Sequence, residues 1–257
     1  MNLRKFCCVL VGASILAGCS GLKKEGGFFD QSFYDDEKIE ERVLDKDEVR
    51  RDKLSLEERL NDVYIKIKKD TSEGVPTLYL RSEINGNDYM EMPVAIGVGN
   101  GYYSGSWKEW ETPEGNFEVA GIFYQPIWYP PKGVDREGPV RPGENNPLGD
   151  WMLILLDGSR GYDKKDINSW GDADYRNLRI HSTNRPDSIG KRASMGCVRM
   201  HPESAEKVAD FLIKNFSEGY SGSDISEEIC PDKIEFDYTF RGKYLYFKNP
   251  LNVYIRD

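Results

Sequence analysis

The chain has 257 residues, 39% of them hydrophobic and five of them tryptophan, which is enough apolar material for one sizeable core and too much for wholesale disorder. Its formal net charge of −9 lacks the basic face that a nucleic-acid partner demands and offers no attraction to anionic lipid. Two histidines and five cysteines, with no Cys-x-x-Cys among them, argue against structural zinc, and no motif calls for a metal or an organic cofactor.

The N-terminus begins with Arg4 and Lys5, followed by an apolar run over residues 6–16. That run has the length of a signal-peptide core and is too short to span a bilayer, which takes roughly 20 apolar residues. It ends in Leu16-Ala17-Gly18-Cys19, which resembles a bacterial lipobox. The resemblance implies cleavage of a signal peptide over 1–18 and lipidation of Cys19. Ser20 follows, and the likeness to sorted lipoproteins places the protein in the cell envelope, lipid-anchored to the outer membrane and facing the periplasm. Several acyl chains make a firm anchor, at about 0.8 kcal/mol per buried CH₂.

Residues 19–61 read as a linker and a charged spacer. The part over 36–61 is dense in charge and only partly follows a helical stripe through Ile39, Val43, Leu44, Leu54, Leu56 and Leu60. A solvated helix or helix pair is expected. Some 40 residues reach roughly 130 Å extended, and about half that as helix.

From Val63 the apolar residues alternate with period two, which predicts strands over 63–68 and 78–81. Asn85-Gly86 signals a turn before a strand over 89–98, and further strands are expected over 117–123 and 151–156. The Pro- and Gly-rich stretch 125–150 reads as an ordered surface loop. Its aromatic residues Trp128 and Tyr129, with Trp151, either cap a cleft or pack the loop onto the sheet. Residues 202–216 form an amphipathic helix with Ala205, Val208, Ala209, Phe211, Leu212 and Phe216 on its apolar side. Two late strands, 238–247 and 251–255, complete a mainly β chain.

The chemistry concentrates in 179–200, RIHSTNRPDSIGKRASMGCVRM. One histidine and one cysteine stand among Gly, Pro, Ser and Asn residues that favour loops. His181 and Cys197 there supply a nucleophile and a base, the minimum for acyl transfer through a thioester. Cys7 and Cys8 leave with the signal. In an oxidising compartment Cys197 and Cys230 could pair; the other reading keeps Cys197 as a working thiol and Cys230 as a small buried hydrophobe. His201, just before Pro202, reads as a cap or surface residue.

Four blocks together resemble the YkuD-type L,D-transpeptidase family, in its periplasmic branch. Thr112-Pro113-Glu114-Gly115-Asn116-Phe117 resembles its TPxGxF turn, and Asn146-Pro147-Leu148-Gly149 its NPLG element. Ile180-His181-Ser182-Thr183-Asn184 and Ser194-Met195-Gly196-Cys197-Val198-Arg199-Met200 resemble its two active-site blocks. Ser182 stands where many members have Gly, and Met195 where some have His. The resemblance implies a YkuD-like β-sandwich or barrel catalytic domain over 62–220, with a short helix after the catalytic cysteine and a β extension over 221–257.

It also implies the chemistry of a peptidoglycan L,D-transpeptidase. Cys197 is the nucleophile, His181 its base, and the Ser182 carbonyl the group that orients the imidazole. Backbone N–H groups near Gly196 and Cys197 form the oxyanion site. Arg199, Ser194, Thr183 and Asn184 are candidates for substrate contact, although Arg199 could equally brace the loop. The implied partners are peptidoglycan stem peptides, with a stem amine or a wall-attached protein as acceptor. Two alternatives keep the same residues: a hydrolase of the same fold that passes the thioester to water and releases wall-linked protein, and a non-catalytic lipoprotein that binds the wall.

Overall fold

The computed structural model describes residues 62–70, 74–82, 88–103, 106–130, 138–217, 231 and 234–257, all within one compact unit over 43–257. The signal and lipobox residues with Cys19, the charged spacer 36–61, the Asn85-Gly86 turn and Cys230 lie outside the described residues. Among the described residues no helix is long and apolar enough to cross a membrane.

Period-two patterning produces the first strands. In β1, Val63–Lys68, the residues Val63, Ile65 and Ile67 are buried while the alternate positions are half-buried. It pairs antiparallel with β2, Thr77–Ser82, which pairs in turn with β3, Asp88–Gly97. A separate two-stranded ribbon follows, β4 Gly99–Tyr103 and β5 Ser106–Trp110. Then come β6 Gly115–Tyr124, β7 Trp151–Leu156, β8 Asp174–His181, β9 Arg192–Ser194 and β10 Val198–Met200. Among the described residues one α-helix, α1 Pro202–Phe216, precedes β11 Asp237–Thr239 and β12 Gly242–Arg256.

The strands run in the order β1-β2-β3-β10-β8-β7-β6-β12, and β12 pairs with β1 to close the ring. The mainly β architecture is therefore a barrel, and closure removes the open edges that a sandwich would have to protect. Within the ring, β1 with β12 and β10 with β8 are parallel pairs. The strands expected over 238–247 and 251–255 become a short β11 and one long β12. β12 runs through Lys248-Asn249-Pro250, all exposed, and its pairing with β6 shifts register between Tyr246 and Leu251. Proline has no N–H for the ladder, so the irregularity falls where a break was expected.

Helix α1 keeps the bounds that the sequence suggests, with Pro202 in the first turn where its missing N–H is harmless. Its buried side is Ala205, Val208, Ala209, Leu212, Ile213 and Phe216. Ile213 takes the place expected of Phe211, which is only partly buried and lies 5.2 Å from the Tyr89 ring. The helix shares one apolar cluster with inner-face residues such as Ile65, Leu80, Val119, Leu153, Ile180 and Val253. Each large side chain so buried contributes roughly 1.5–3 kcal/mol. A second cluster, around Phe123, Ile154, Trp170 and Tyr244, covers the outer face of β6 and β7.

Candidate active site

His181 stands at a strand end, whereas Cys197 lies on the turn just before a strand. His181 is the last residue of β8, and Cys197 immediately precedes β10. The two strands run side by side with Val198 opposite Ile180 and Arg199 opposite His181. Alternation turns Leu178, Ile180, Val198 and Met200 into the core. It therefore leaves Arg179, His181, Cys197 and Arg199 on the other face. From strand rise and spacing, the α-carbons of His181 and Cys197 are roughly 8 Å apart, a gap that two side chains on one face can bridge.

The imidazole is fixed on one side. Its Nδ1 bonds the Ser182 carbonyl, which can only accept, so Nδ1 carries the proton and Nε2 is the unprotonated nitrogen of the neutral ring. Burial pushes the ring's pKa down to about 4, with the Arg199 charge adding to the fall and the Ser182 and Leu148 backbone pulling the other way. The backbone under it is tight: Ser182 N–H donates to Trp151 O at 2.8 Å. Gly149, at φ +61°, approaches so closely that a β-carbon there would lie 2.6 Å from Ser182 Oγ. The NPLG element makes this approach possible. Asn146 Nδ2 donates to Pro126 O at 2.7 Å, Leu148 N–H donates to Asn146 Oδ1 at 2.9 Å, and Asn146 is fully buried.

The thiol is half-buried and free of a disulfide. Its Sγ donates to the Asn177 carbonyl at 3.7 Å. Asn177 has φ 58°, a left-handed residue inside β8 that turns this carbonyl towards the sulfur. Burial pushes the thiol pKa up; the charge and backbone N–H of Arg179, and then Arg199, oppose the rise. Burial thus works against the charged form of both partners.

Arg179 is buried behind the sulfur. Its guanidinium makes two 2.7 Å bonds to the Asp174 carboxylate, and Arg241 reaches the same carboxylate at 3.3 Å. The turn before Cys197 is braced separately. Thr112 Oγ1 accepts from Gly97 N–H and donates to Gly196 O, both at 2.8 Å. Lys69 clamps the preceding turn through Glu111, Glu114 and Asp257 at 3.3, 3.1 and 2.9 Å. Gly196 has φ +105°, open to glycine and strained for other residues.

Ser194, read as a substrate contact, is 2% exposed; its hydroxyl bonds Cys197 O and accepts from Gly196 N–H at 3.2 Å, so it braces the turn. The same bond engages one N–H expected at the oxyanion site. Thr183 is buried and accepts from Arg185 N–H at 3.1 Å, and Asn184 is exposed with its amide 3.4 Å from Glu144 O. Arg199 is half-buried beside His181 and, among the described residues, makes no ion pair. His201 occupies the N-cap of α1 without a side-chain capping bond. Trp128 packs against the outer cluster and Trp151 against the inner one, whereas Tyr129 is 49% exposed. Among the described residues no group of His, Cys, Asp and Glu is arranged to hold a metal ion.

The YkuD family, the L,D-transpeptidase catalytic domain, matches residues 66–218. The chain belongs to the YkuD family. A Bacillus subtilis (strain 168) protein with the name "Putative L,D-transpeptidase YqjB" is 37% identical over 90 residues, which is 35% of this chain and 40% of that protein. The chain therefore matches well under half the length of that relative. The structure of Bdellovibrio bacteriovorus Bd1075 is 20% identical, covers 59% of this chain and 44% of that one, and superposes with a TM-score of 0.29.

Within this YkuD domain, three groups near the thiol escape a motif reading: Arg179, Asp174 and Asn177. Arg179 lies two residues before His181, and period two along a strand would have placed it on the histidine's face. Asp174 and Asn177 carry no such signal. Their roles arise from a bidentate ion pair and a positive φ, both of which depend on the folded backbone.

Proposed function

We propose that this chain is a peptidoglycan L,D-transpeptidase working through a thioester on Cys197. The observation that carries the reading is the shared face of β8 and β10, where a buried imidazole oriented through Nδ1, a half-buried thiol and a guanidinium with no ion pair among the described residues stand side by side. Nε2 of His181 takes the Sγ proton as sulfur attacks the carbonyl carbon of the third stem residue. The tetrahedral oxyanion is held by backbone N–H groups led by that of Cys197. Such a donor contributes about 2.7–4 kcal/mol to lowering the barrier. Collapse breaks the peptide bond, and the imidazolium returns its proton to the departing amine of the terminal D-alanine.

An amine then attacks the thioester, gives its proton to His181, and the thiol is released. A stem amine as acceptor makes a 3–3 cross-link, and a protein lysine makes a wall-attached protein. Arg199 is suited to a substrate carboxylate because, among the described residues, no carboxylate pairs with it at salt-bridge distance, Asp187 acting on it only from farther off. In the same reading the enzyme is tethered through Cys19 to the outer membrane and acts on the wall from the periplasmic side. Incubation with disaccharide–tetrapeptides tests this by separation of products. Cross-linked dimers and free D-alanine, both absent with Cys197→Ala, support transfer. Tripeptide monomers alone, or shrinking dimers, assign the thioester to water instead.

A further inference from the structure

Away from the thiol, a groove of about 460 Å³ opens between residues 125–129 and 139–142 on one side and the β11–β12 hairpin on the other. Tyr129 and Pro142 line one wall, and Tyr238 and Lys243 the other, with Arg141 at the rim. Tyr238 is 84% exposed and Tyr129 49%, so two large rings lie open to water beside each other's walls. The hairpin is fixed in place. Tyr129 Oη donates to Phe240 O at 2.9 Å, and Ile127 N–H donates to Arg241 O at 2.8 Å.

Charge singles out this surface. Among the described residues the groove lining carries two cations and no acid, in a chain whose net charge is −9. Asp237 neighbours Tyr238 in sequence, but alternation along β11 directs it to the opposite face. Lys243 Nζ already sits 5.1 Å from the Tyr124 ring, and the Arg241 guanidinium 5.1 Å from that of Phe240, so cations and ring faces are interleaved. Rigid, half-apolar tyrosines with nearby cations are what an interface uses to hold a ligand that has both an apolar face and an anionic group.

The groove is joined to the active site by two structural links. Arg241 of the hairpin bonds Asp174, which grips Arg179 beside Cys197. On the other wall, Pro126 O is held by Asn146, which in turn holds Leu148 against the His181 ring. A polymer strand whose reactive amine reaches the thioester would extend along such a surface.

We infer that this groove binds the acceptor strand, a carboxylate-bearing sugar–peptide whose pyranose face stacks on Tyr238 and Tyr129 while its carboxylate meets Arg141 and Lys243. The inference rests on the transpeptidase reading, which supplies the reason for a second strand.

The test is calorimetric binding of a disaccharide–tetrapeptide to the full chain carrying Cys197→Ala, with Tyr238→Ala, Lys243→Glu or Arg141→Ala added. Thermal melts identify any variant that fails to fold. The expected result is a Kd weakened about tenfold for each folded groove variant, as for a residue central to an interface. Added salt should shrink the Lys243→Glu and Arg141→Ala losses and leave that of Tyr238→Ala. An unchanged Kd in the folded variants overturns the inference. Thioester formation on the unmodified chain is read separately by intact mass. Its absence defeats the transpeptidase reading, whereas the binding series decides the groove.

Discussion

The two faces of β8 and β10 share one backbone and divide the work. Leu178, Ile180, Val198 and Met200 face inward and are at most 4% exposed. Arg179, His181, Cys197 and Arg199 face the other way, and two of these, Arg179 and His181, are nearly as buried at 4% each. Inward, burial is its own stabilisation. Outward, it desolvates ionisable groups, so each must be hydrogen-bonded, ion-paired or held neutral. The comparison shows that this site is not a polar surface laid over a core. It is a second buried layer whose stability and reactivity come from the same contacts.

The sharpest way to break the comparison is to remove the base. His181→Gln should slow acylation of Cys197 by 10²–10⁴-fold, the usual range for general-base assistance, measured by rapid-quench mass spectrometry. An inner-face change such as Ile180→Val should leave acylation of the folded fraction near that of the parent.

Next in size is the ion pair. Asp174→Ala strands the buried Arg179 guanidinium and frees Arg241, and should destabilise the fold by about 3–5 kcal/mol in urea titrations. Preserved stability would show that the outer layer bears no load.

The pH dependence of stability also separates the faces. His181 titrates near 4 when folded and near 6.5 when unfolded, so the unfolded chain binds more protons between those values. Stability from this group is fully present above about pH 6.5 and is lost as pH falls to about 4, on the order of 3 kcal/mol in total. Urea midpoints at pH 7.5 and 4.5 should differ more for the parent than for His181→Gln. The smallest effect is Ile180→Val itself, about 0.5–1.5 kcal/mol of stability with no pH dependence of its own.

The same division explains what could be read from the sequence. Inner faces declare themselves: Val63, Ile65 and Ile67 alternate, and the spacing of Ala205, Val208, Ala209 and Leu212 fixes α1. The outer layer of β8 does not. Its segment, DYRNLRIH, interrupts apolar alternation with charged residues that are buried only because they meet one another, and Asn177 breaks strand geometry at positive φ. It therefore resembled a loop. The β4–β5 ribbon, GNGYY and SWKEW, was equally silent because its Gly and Ser residues mask the alternation. His181 and Cys197 were legible from motif blocks, and Thr112 and Asn146 lay within such blocks. That Thr112 and Ser194 brace the nucleophile's turn emerged only from contacts between Gly97, Thr112, Ser194 and Gly196 that the chain brings together from distant positions.

The most direct measurement is the mass and location of the acyl group after a single turnover with a tetrapeptide stem or a carbapenem. The expected result is one adduct, mapped to Cys197, slowed by His181→Gln and absent from a folded Cys197→Ala chain. An adduct on any other residue, or unchanged acylation of Cys197→Ala, would contradict the shared-face mechanism.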